Sequence, residues 1–362
     1  KDFVHHIAPL PWLRTGPGQA LDGKPKFDLT KFNHAYFERL RARVSAAGRR
    51  GIYVSVMLFE GWGLMHGNRG RAAPDGWAWR AHPFHPANNA NGIDASGEPA
   101  GIGGNVHSLN NSAVNTIQAA YIREVVDTVN DLDNVLYEVI NEGGQREWDW
   151  WVVDTLRDYE RTKSKRHPIG LTGHGAERLP SMLASAADWI SPGRADGYGE
   201  NPPEWDGKKV SLLDTDHIWG VGGSAAWVWK SFLHGHNPIF MDPYDGAVLG
   251  MPSDPRWEPI RQAMGHTRRL AERVGLAGLQ PRTGIASTGY CLANSGSAYL
   301  IYQPSPGEAF SVEMKAGLYR YEWIDPATGE ASGSGSIESS GQAQQFKAPF
   351  AGESVLYLKA QS

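Results

Sequence analysis

The sequence has little cysteine, no excess of charge of either sign and no long apolar run. Cys291 is the single cysteine among 362 residues, which excludes an intrachain disulfide framework. Lysines and arginines number 35 against 39 aspartates and glutamates, so the formal net charge is −4. Without a basic excess to neutralise phosphates, we expect no nucleic-acid partner. No apolar run approaches the roughly 20 residues of a membrane-spanning helix, so we expect no membrane insertion.

Short apolar runs alternate with amphipathic, helix-length segments over residues 1–275. The runs, which predict strands, are 3–10, 51–58, 134–141, 167–172, 188–191, 209–213 and 237–241. The segments with apolar residues at helical spacing are 29–47, 112–132, 148–162 and 255–274. This alternation implies a parallel sheet covered by helices. Over this length it favours a (β/α)8 TIM barrel that lacks its first βα unit. An open doubly wound sheet is the alternative, but no strand is followed by the GxGxxG turn of that fold.

Two segments depart from this alternation. Residues 61–111 show little periodicity and follow a strand. In a barrel such a loop lies on the C-terminal face, so we expect it to cover the substrate. Residues 276–362 consist of short strands bounded by turn signals, which predicts a small antiparallel β-sandwich as a second domain.

The sharpest catalytic signal is the run YEVINEGG at residues 137–144. Its apolar residues predict a strand that leads to Asn141 and Glu142, before a glycine turn. Because side chains alternate along a strand, we expect Glu138, Ile140 and Glu142 to share one face. A glutamate beside apolar groups can have its pKa raised enough to act as an acid near neutral pH. Glu142 is therefore the candidate acid–base catalyst, and the alternative is a glutamate that caps the next helix.

A second acidic strand end lies in the run VSLLDTDHIWG at residues 210–220. Continued as a strand, it places Asp214 and Asp216 on one face, one pleat apart, with His217 and Trp219 after them. Either aspartate is a candidate nucleophile. The two aspartates and His217 can also be metal ligands, but no HxH or HExxH motif lies beside them. We therefore expect no metal and no other cofactor.

Further polar and aromatic residues follow other predicted strands. Glu60 and Trp62 come directly after the second strand, His174 after the fourth and Asp242 after the seventh. We expect them to contact a ligand or a catalytic carboxylate, with a structural role as the alternative for His174 and Asp242. No GxSxG motif is present and Cys291 lies in the second domain, so serine and cysteine nucleophiles are unsupported.

This pattern resembles the clan A glycoside hydrolases, the family 5 cellulase and mannanase type, and especially the DUF4038-like apiosidase branch. In that family an Asn-Glu motif ends strand four and the nucleophile ends strand seven. Here Asn141-Glu142 and the two aspartates fall on the third and sixth predicted strands, which agrees with one missing unit. The family's nucleophile is usually glutamate, where this sequence offers aspartate. The motifs WIDPATG at residues 323–329 and APFAG at 348–352 resemble the module named for collagen binding that often follows such barrels.

The resemblance implies a retaining glycoside hydrolase that acts on a poly- or oligosaccharide. Glu142 would protonate the leaving oxygen, and Asp216 would attack the anomeric carbon. Asp216 is preferred over Asp214 because it is nearer the carboxyl end of the strand, where substrate arrives. Asn141 would hydrogen-bond the sugar 2-hydroxyl. We also predict a secreted or periplasmic bacterial protein, although residues 1–6 are not typical of a signal peptide.

Trp62 and Trp219 would stack on sugar faces.

Two other functions stay open. A carbohydrate-binding pseudo-glycosidase would keep the cleft without turnover, as aspartate in place of glutamate and the short N-terminus suggest. A metal-dependent hydrolase would use Asp214, Asp216 and His217. The sequence indicates neither the sugar, nor the linkage, nor the oligomeric state.

Overall fold

The computed structural model describes residues 8–65, 77–97, 103–173, 178–243 and 254–361. Within these ranges the protein is a mixed α/β structure with one six-stranded parallel sheet and three antiparallel sheets. The chain divides into two compact units, Lys1–His174 with Pro180–Trp189, and Gly175–Leu179 with Ile190–Ser362. None of the described helices is long and apolar enough to cross a membrane.

The chain begins with an antiparallel hairpin that the sequence analysis did not predict. Its strands are β1 (Trp12–Gln19) and β2 (Pro25–Phe32). The amides of Leu21 and Leu29 donate to the Asn88 and Asn91 side chains, at 2.9 and 2.7 Å. The predicted helix from residue 29 is therefore wrong in its first residues, because that stretch pairs with β1 and the helix begins at His34.

The parallel sheet contains all six strands predicted from residue 51 onward. They are β3 (Val54–Glu60), β4 (Val135–Asn141), β5 (Ile169–Thr172), β6 (Trp189–Ser191), β7 (Val210–Asp214) and β8 (Asn237–Ile239), in spatial order β3 to β8. Five of the seven β4 residues are buried, as expected for a strand covered on both faces. The predicted strand 3–10 lies mostly outside the described residues, and residues 8–10 are not in a strand.

α-Helices precede β3, follow β8 and lie in the connections between the strands, except between β6 and β7, where the described residues form only a 3-10 helix. They are α1 (His34–Gly48), α2 (Trp62–Met65), α3 (Trp77–Ala81), α4 (Ser112–Val129), α5 (Arg146–Glu160), α6 (Arg178–Ala184), α7 (Ala225–Leu233) and α8 (Glu258–Val274). The Asn111 side chain accepts from the Val114 amide and caps α4, and Ser224 caps α7 by accepting from the Trp227 amide. Such caps satisfy amides that a helix leaves without partners at its first turn.

After residue 279 the chain forms antiparallel strands. They are β9 (Gln280–Pro281), β10 (Cys291–Asn294), β11 (Ala298–Gln303), β12 (Phe310–Glu313), β13 (Gly317–Ile324), β14 (Ala331–Ser339), β15 (Ala343–Phe346) and β16 (Ser354–Ala360). One sheet has the order β14-β13-β16-β11-β10-β9, and β12 pairs with β15 in another. Both sheets contribute to one core, where Phe310 lies 5.9 Å from Trp323 and 6.1 Å from Phe346 between ring centroids.

Within the second unit, these sheets pack against α7 and α8. The Trp229 ring stacks on Tyr302 at 6.1 Å, and its Nε1 donates to the Pro326 carbonyl at 3.3 Å. Arg273, at the end of α8, pairs with Glu322 at 3.0 Å. The contact is mainly apolar and aromatic, so separating the sheets from α7 would expose buried Trp229 and Tyr302 to water.

Candidate functional site

The carboxyl ends of β3 and β4 come close together at Gly61 and Gly143. Asn141 lies opposite Glu60 in the register, and the Gly61 amide donates to the Asn141 carbonyl at 2.8 Å. A Cβ atom on Gly61 would lie 2.4 Å from the Glu142 carbonyl oxygen and 2.8 Å from the Gly143 α-carbon. Only glycine fits at position 61 without moving the backbone that carries Glu142.

Glu142 has an unusual backbone conformation. β4 ends at Asn141, and Glu142 has a φ of 43°, the only positive φ at a non-glycine residue in the described ranges. This left-handed region is disfavoured for a residue with a Cβ, and such strain is concentrated at functional sites. The expected alternation from Glu138 through Ile140 to Glu142 is therefore wrong at its last step, because the chain has left the strand. Glu142 is 8% exposed.

Glu60 and Asn141 lie beside Glu142. The Glu60 carboxylate accepts from the Gly63 amide at 2.8 Å and from the Asn141 side chain at 3.5 Å. Although Glu60 is exposed as a residue, loss of water around its carboxylate raises its pKa, and the nearby charge of Glu142 acts in the same direction. The hydrogen bonds partly offset this. The first unit therefore gathers Glu60, Asn141 and Glu142 at one edge, and Trp62, 46% exposed, begins α2 directly after Glu60.

A buried glutamate holds three strands together below this edge. Glu138 on β4 is 8% exposed and accepts from Ser55 on β3 at 3.0 Å and from the Thr172 hydroxyl on β5. These bonds satisfy both carboxylate oxygens within the sheet. Glu138 therefore links β3, β4 and β5 through its side chain.

The second unit carries the two aspartates at the end of β7. The strand stops at Asp214, whose Oδ1 accepts from the Asp216 amide at 2.9 Å and so caps a 3-10 helix over Thr215–His217. The prediction that Asp214 and Asp216 lie one pleat apart on a strand is wrong, because the chain turns into this helix. Burial raises the pKa of Asp214, while the Asp216 amide and His217 act in the opposite direction.

His217 and Trp219 follow in the same turn. His217 Nδ1 lies 3.4 Å from the Ser191 hydroxyl, and its buried Nε2 has no hydrogen-bond partner among the described residues. Trp219 is half-buried and packs edge-on against Trp227, with 5.2 Å between ring centroids. Ser191 ends β6, and no sequence pattern singles it out as a contact of His217.

The remaining predicted residues have different positions. Asp242 forms a two-point ion pair with Arg261 of α8, at 2.6 and 2.9 Å, so its charge is already neutralised within the protein. Sequence reasoning missed Arg261, since an arginine on an amphipathic helix gives no signal of such a partner. His174 lies outside the described residues. His234 and His236, which precede β8 and form an HxH motif, use both ring nitrogens in hydrogen bonds to the protein.

Comparison with known proteins gives a family match and a fold. A domain of unknown function, DUF6298, matches residues 6–176. No curated protein matches the sequence. A solved structure described as a glycoside hydrolase has a TM-score of 0.53 at 12% identity, with 90% of this chain and 89% of that one covered.

Two further structures are similar. A glycoside hydrolase family 5 protein from Bacteroides vulgatus ATCC 8482 gives a TM-score of 0.51 at 13% identity, covering 97% of this chain and 94% of its own. Alpha-L-fucosidase isoenzyme 1 from Paenibacillus thiaminolyticus gives 0.44 at 14% identity, with 89% and 86% covered. The first two likenesses extend over nearly the whole chain and show that it shares the fold of glycoside hydrolases.

Proposed function

We propose that this protein is a retaining glycoside hydrolase acting on a poly- or oligosaccharide. The observation that carries the proposal is Glu142, a buried carboxyl held in a strained conformation at the carboxyl end of a parallel strand. Catalytic residues of parallel α/β proteins are concentrated at that end of the strands. The fold likeness to glycoside hydrolases supports the same reading.

The finer architecture is part of the proposal. We infer that the parallel sheet belongs to a (β/α)8-type barrel domain over residues 1–275. The antiparallel sheets after it would form a β-sandwich domain over residues 276–362. Their shared aromatic core supports the second assignment.

In the proposed reaction, Glu142 donates its proton to the leaving oxygen while an aspartate of the β7 end attacks the anomeric carbon. Glu142, now a carboxylate, then removes a proton from the water that releases the sugar. Asn141 would orient the sugar 2-hydroxyl, and the exposed ring of Trp62 would stack on a sugar face. Each proton transfer assisted by Glu142 would accelerate its step about 100- to 10,000-fold.

Asp216 remains our choice of nucleophile over Asp214. The Asp214 carboxylate is used in capping the turn, since its Oδ1 accepts from the Asp216 amide. If Asp214 were the nucleophile, this hydrogen bond to the Asp216 amide would be lost. Its loss would destabilise the turn that carries Asp216, His217 and Trp219. The choice is tested by the carboxyl separation in a crystal structure with a bound glycoside, where the nucleophile should lie about 5–5.5 Å from Glu142. A separation beyond about 6.5 Å for both aspartates would favour inversion instead.

The proposal as a whole is tested by screening aryl glycosides and plant polysaccharides with the wild type and Glu142→Gln. We expect hydrolysis by the wild type and a loss of about 100- to 10,000-fold in the variant on substrates with poor leaving groups. Full activity in a folded Glu142→Gln variant would overturn the assignment. Binding without turnover would point to the pseudo-glycosidase. Loss of wild-type activity in EDTA would point to the metal-dependent hydrolase that uses Asp214, Asp216 and His217.

A further inference from the structure

The outer face of the C-terminal six-stranded sheet carries an open groove of about 850 Å³. It is lined by side chains of β13, β14 and β16, and none of them belongs to the proposed catalytic site. Arg320 lies opposite Lys359 and Ser336 in the strand register, and Glu322 lies opposite Tyr357 and Ser334. The residues that alternate with them, Tyr319 and Trp323, are buried in the core between the sheets. The groove therefore lies on the face of the sheet opposite that core, a face that packs against α7 farther along, at Tyr302.

The charge in this groove is positive and only partly compensated. Arg320 and Lys359 are exposed, directly opposed across β13 and β16, and without an ion-pair partner in the described part of the chain. Like charges directly opposite each other destabilise a sheet. The groove carboxylate, Glu322, is instead paired with Arg273 at 3.0 Å. Two uncompensated cations thus face one cavity in a protein whose net charge is −4.

The rest of the lining suits a sugar ring. Tyr357 is half-buried near Arg273 and Glu322, so part of its side chain stays accessible. The hydroxyls of Ser334 and Ser336 are exposed hydrogen-bonding groups, and Gln361 already donates to Ser336 at 3.0 Å. A few convergent polar groups around an aromatic surface are typical of a ligand site. Arginine beside lysine adds strong, charge-assisted donors for a carboxylate.

We propose that this groove is a second saccharide site, specific for a sugar chain that bears carboxylates, such as a uronate polymer. Arg320 and Lys359 bind the carboxylate, Tyr357 packs against the sugar ring, and the serines bind its hydroxyls. The choice of a saccharide rests on the proposed function. The site would hold an acidic polymer on the enzyme independently of turnover.

The test measures binding by the full chain carrying Glu142→Gln, so that hydrolysis does not consume the probe. Oligogalacturonate is titrated by calorimetry at low salt, with neutral dextran and dextran sulfate as comparison probes. The groove variant is Arg320→Ala with Lys359→Ala. The matched control is Lys315→Ala with Lys347→Ala, which removes two exposed lysines outside the groove, one between β12 and β13 and one directly after β15. Tyr357→Ala tests the ring contact, and thermal unfolding checks that each variant is folded.

We expect oligogalacturonate to bind, and the groove variant to bind it about tenfold or more weakly, since two charge-assisted contacts are lost. The control should bind like its parent, and Tyr357→Ala should also weaken binding. Equal affinity for dextran sulfate, equal losses in the control, or no binding at low salt would each overturn the inference. Turnover of glycosides by the wild type with no binding in the groove would refute this site and leave the proposed function intact. Binding in the groove without any turnover by the wild type would support this site and refute the proposed hydrolase function.

Discussion

Gly61→Ala tests whether the contact between two glycines positions Glu142. The added Cβ would lie 2.4 Å from the Glu142 carbonyl oxygen and 2.8 Å from the Gly143 α-carbon, where real Cβ atoms essentially never come below 3.0 Å. Both atoms belong to the backbone, so no side chain can rotate away to make room. The Glu142 turn must move.

The size of the effect follows from that displacement. Overpacking of this kind costs about 1–3 kcal/mol of unfolding free energy. A misplacement of roughly 1 Å in a catalytic group can cost about 100-fold in rate. We therefore expect Gly61→Ala to unfold at lower urea concentration and to lose about 100-fold in kcat, with KM changed less.

Gly284→Ala is the matched control. A Cβ there meets no atom within 4 Å, and its φ is not positive, so an alanine should be neutral or slightly stabilising. Gly61→Ala with parental kcat and stability would refute the reasoning, because it would mean that the Glu142 backbone can move without consequence.

Two further predictions concern buried polar groups. Burial lowers the pKa of His236 to about 4, below the unfolded value near 6.5. Its contribution to stability, up to about 3 kcal/mol, is therefore present above pH 6.5 and lost as the pH falls towards 4. An NMR titration of this ring with a midpoint near 6.5 would contradict this. Glu160 is 2% exposed and accepts from the His167 amide and ring and from Asn130, at 2.8 to 3.0 Å, so Glu160→Ala should cost about 3–5 kcal/mol in urea unfolding. Asp158→Ala, which breaks only an exposed ion pair on the same helix, should cost under about 1 kcal/mol, and similar costs for both variants would refute the distinction.

The sequence predicted the parallel strands well because each contains a short apolar run, and β4, β5 and β6 are largely buried on both faces. It failed where partners far along the chain decide local structure. The β1–β2 hairpin, for example, makes hydrogen bonds to Asn88 and Asn91, which lie outside any window of neighbouring residues. β14 and β15 were also missed, because their glycine, serine and glutamine residues lack the apolar alternation of a strand.

For the candidate site, the sequence predicted which residues lie at the strand ends, but it did not predict the backbone conformation and hydrogen bonds of those residues. Asn141 and Glu142 were placed at the end of β4 by the apolar run before them. The positive φ of Glu142 and the close approach of Gly61 to its backbone follow from no spacing rule. Likewise, Asp214 was assumed to continue a strand, but its side chain bonds the Asp216 amide and turns the chain. The pairing of Asp242 with Arg261 joins residues that no motif connects.

In the proposed mechanism, Glu142 acts with an aspartate in a retaining reaction. The most direct measurement is proton NMR of the products formed by the wild type from its best aryl glycoside, recorded before the released sugar equilibrates in water. We predict that the first-formed sugar keeps the anomeric configuration of the substrate, and that Glu142→Gln forms it about 100- to 10,000-fold more slowly when the leaving group is poor. A first-formed sugar of inverted configuration, or product formation that does not depend on Glu142, would contradict the account.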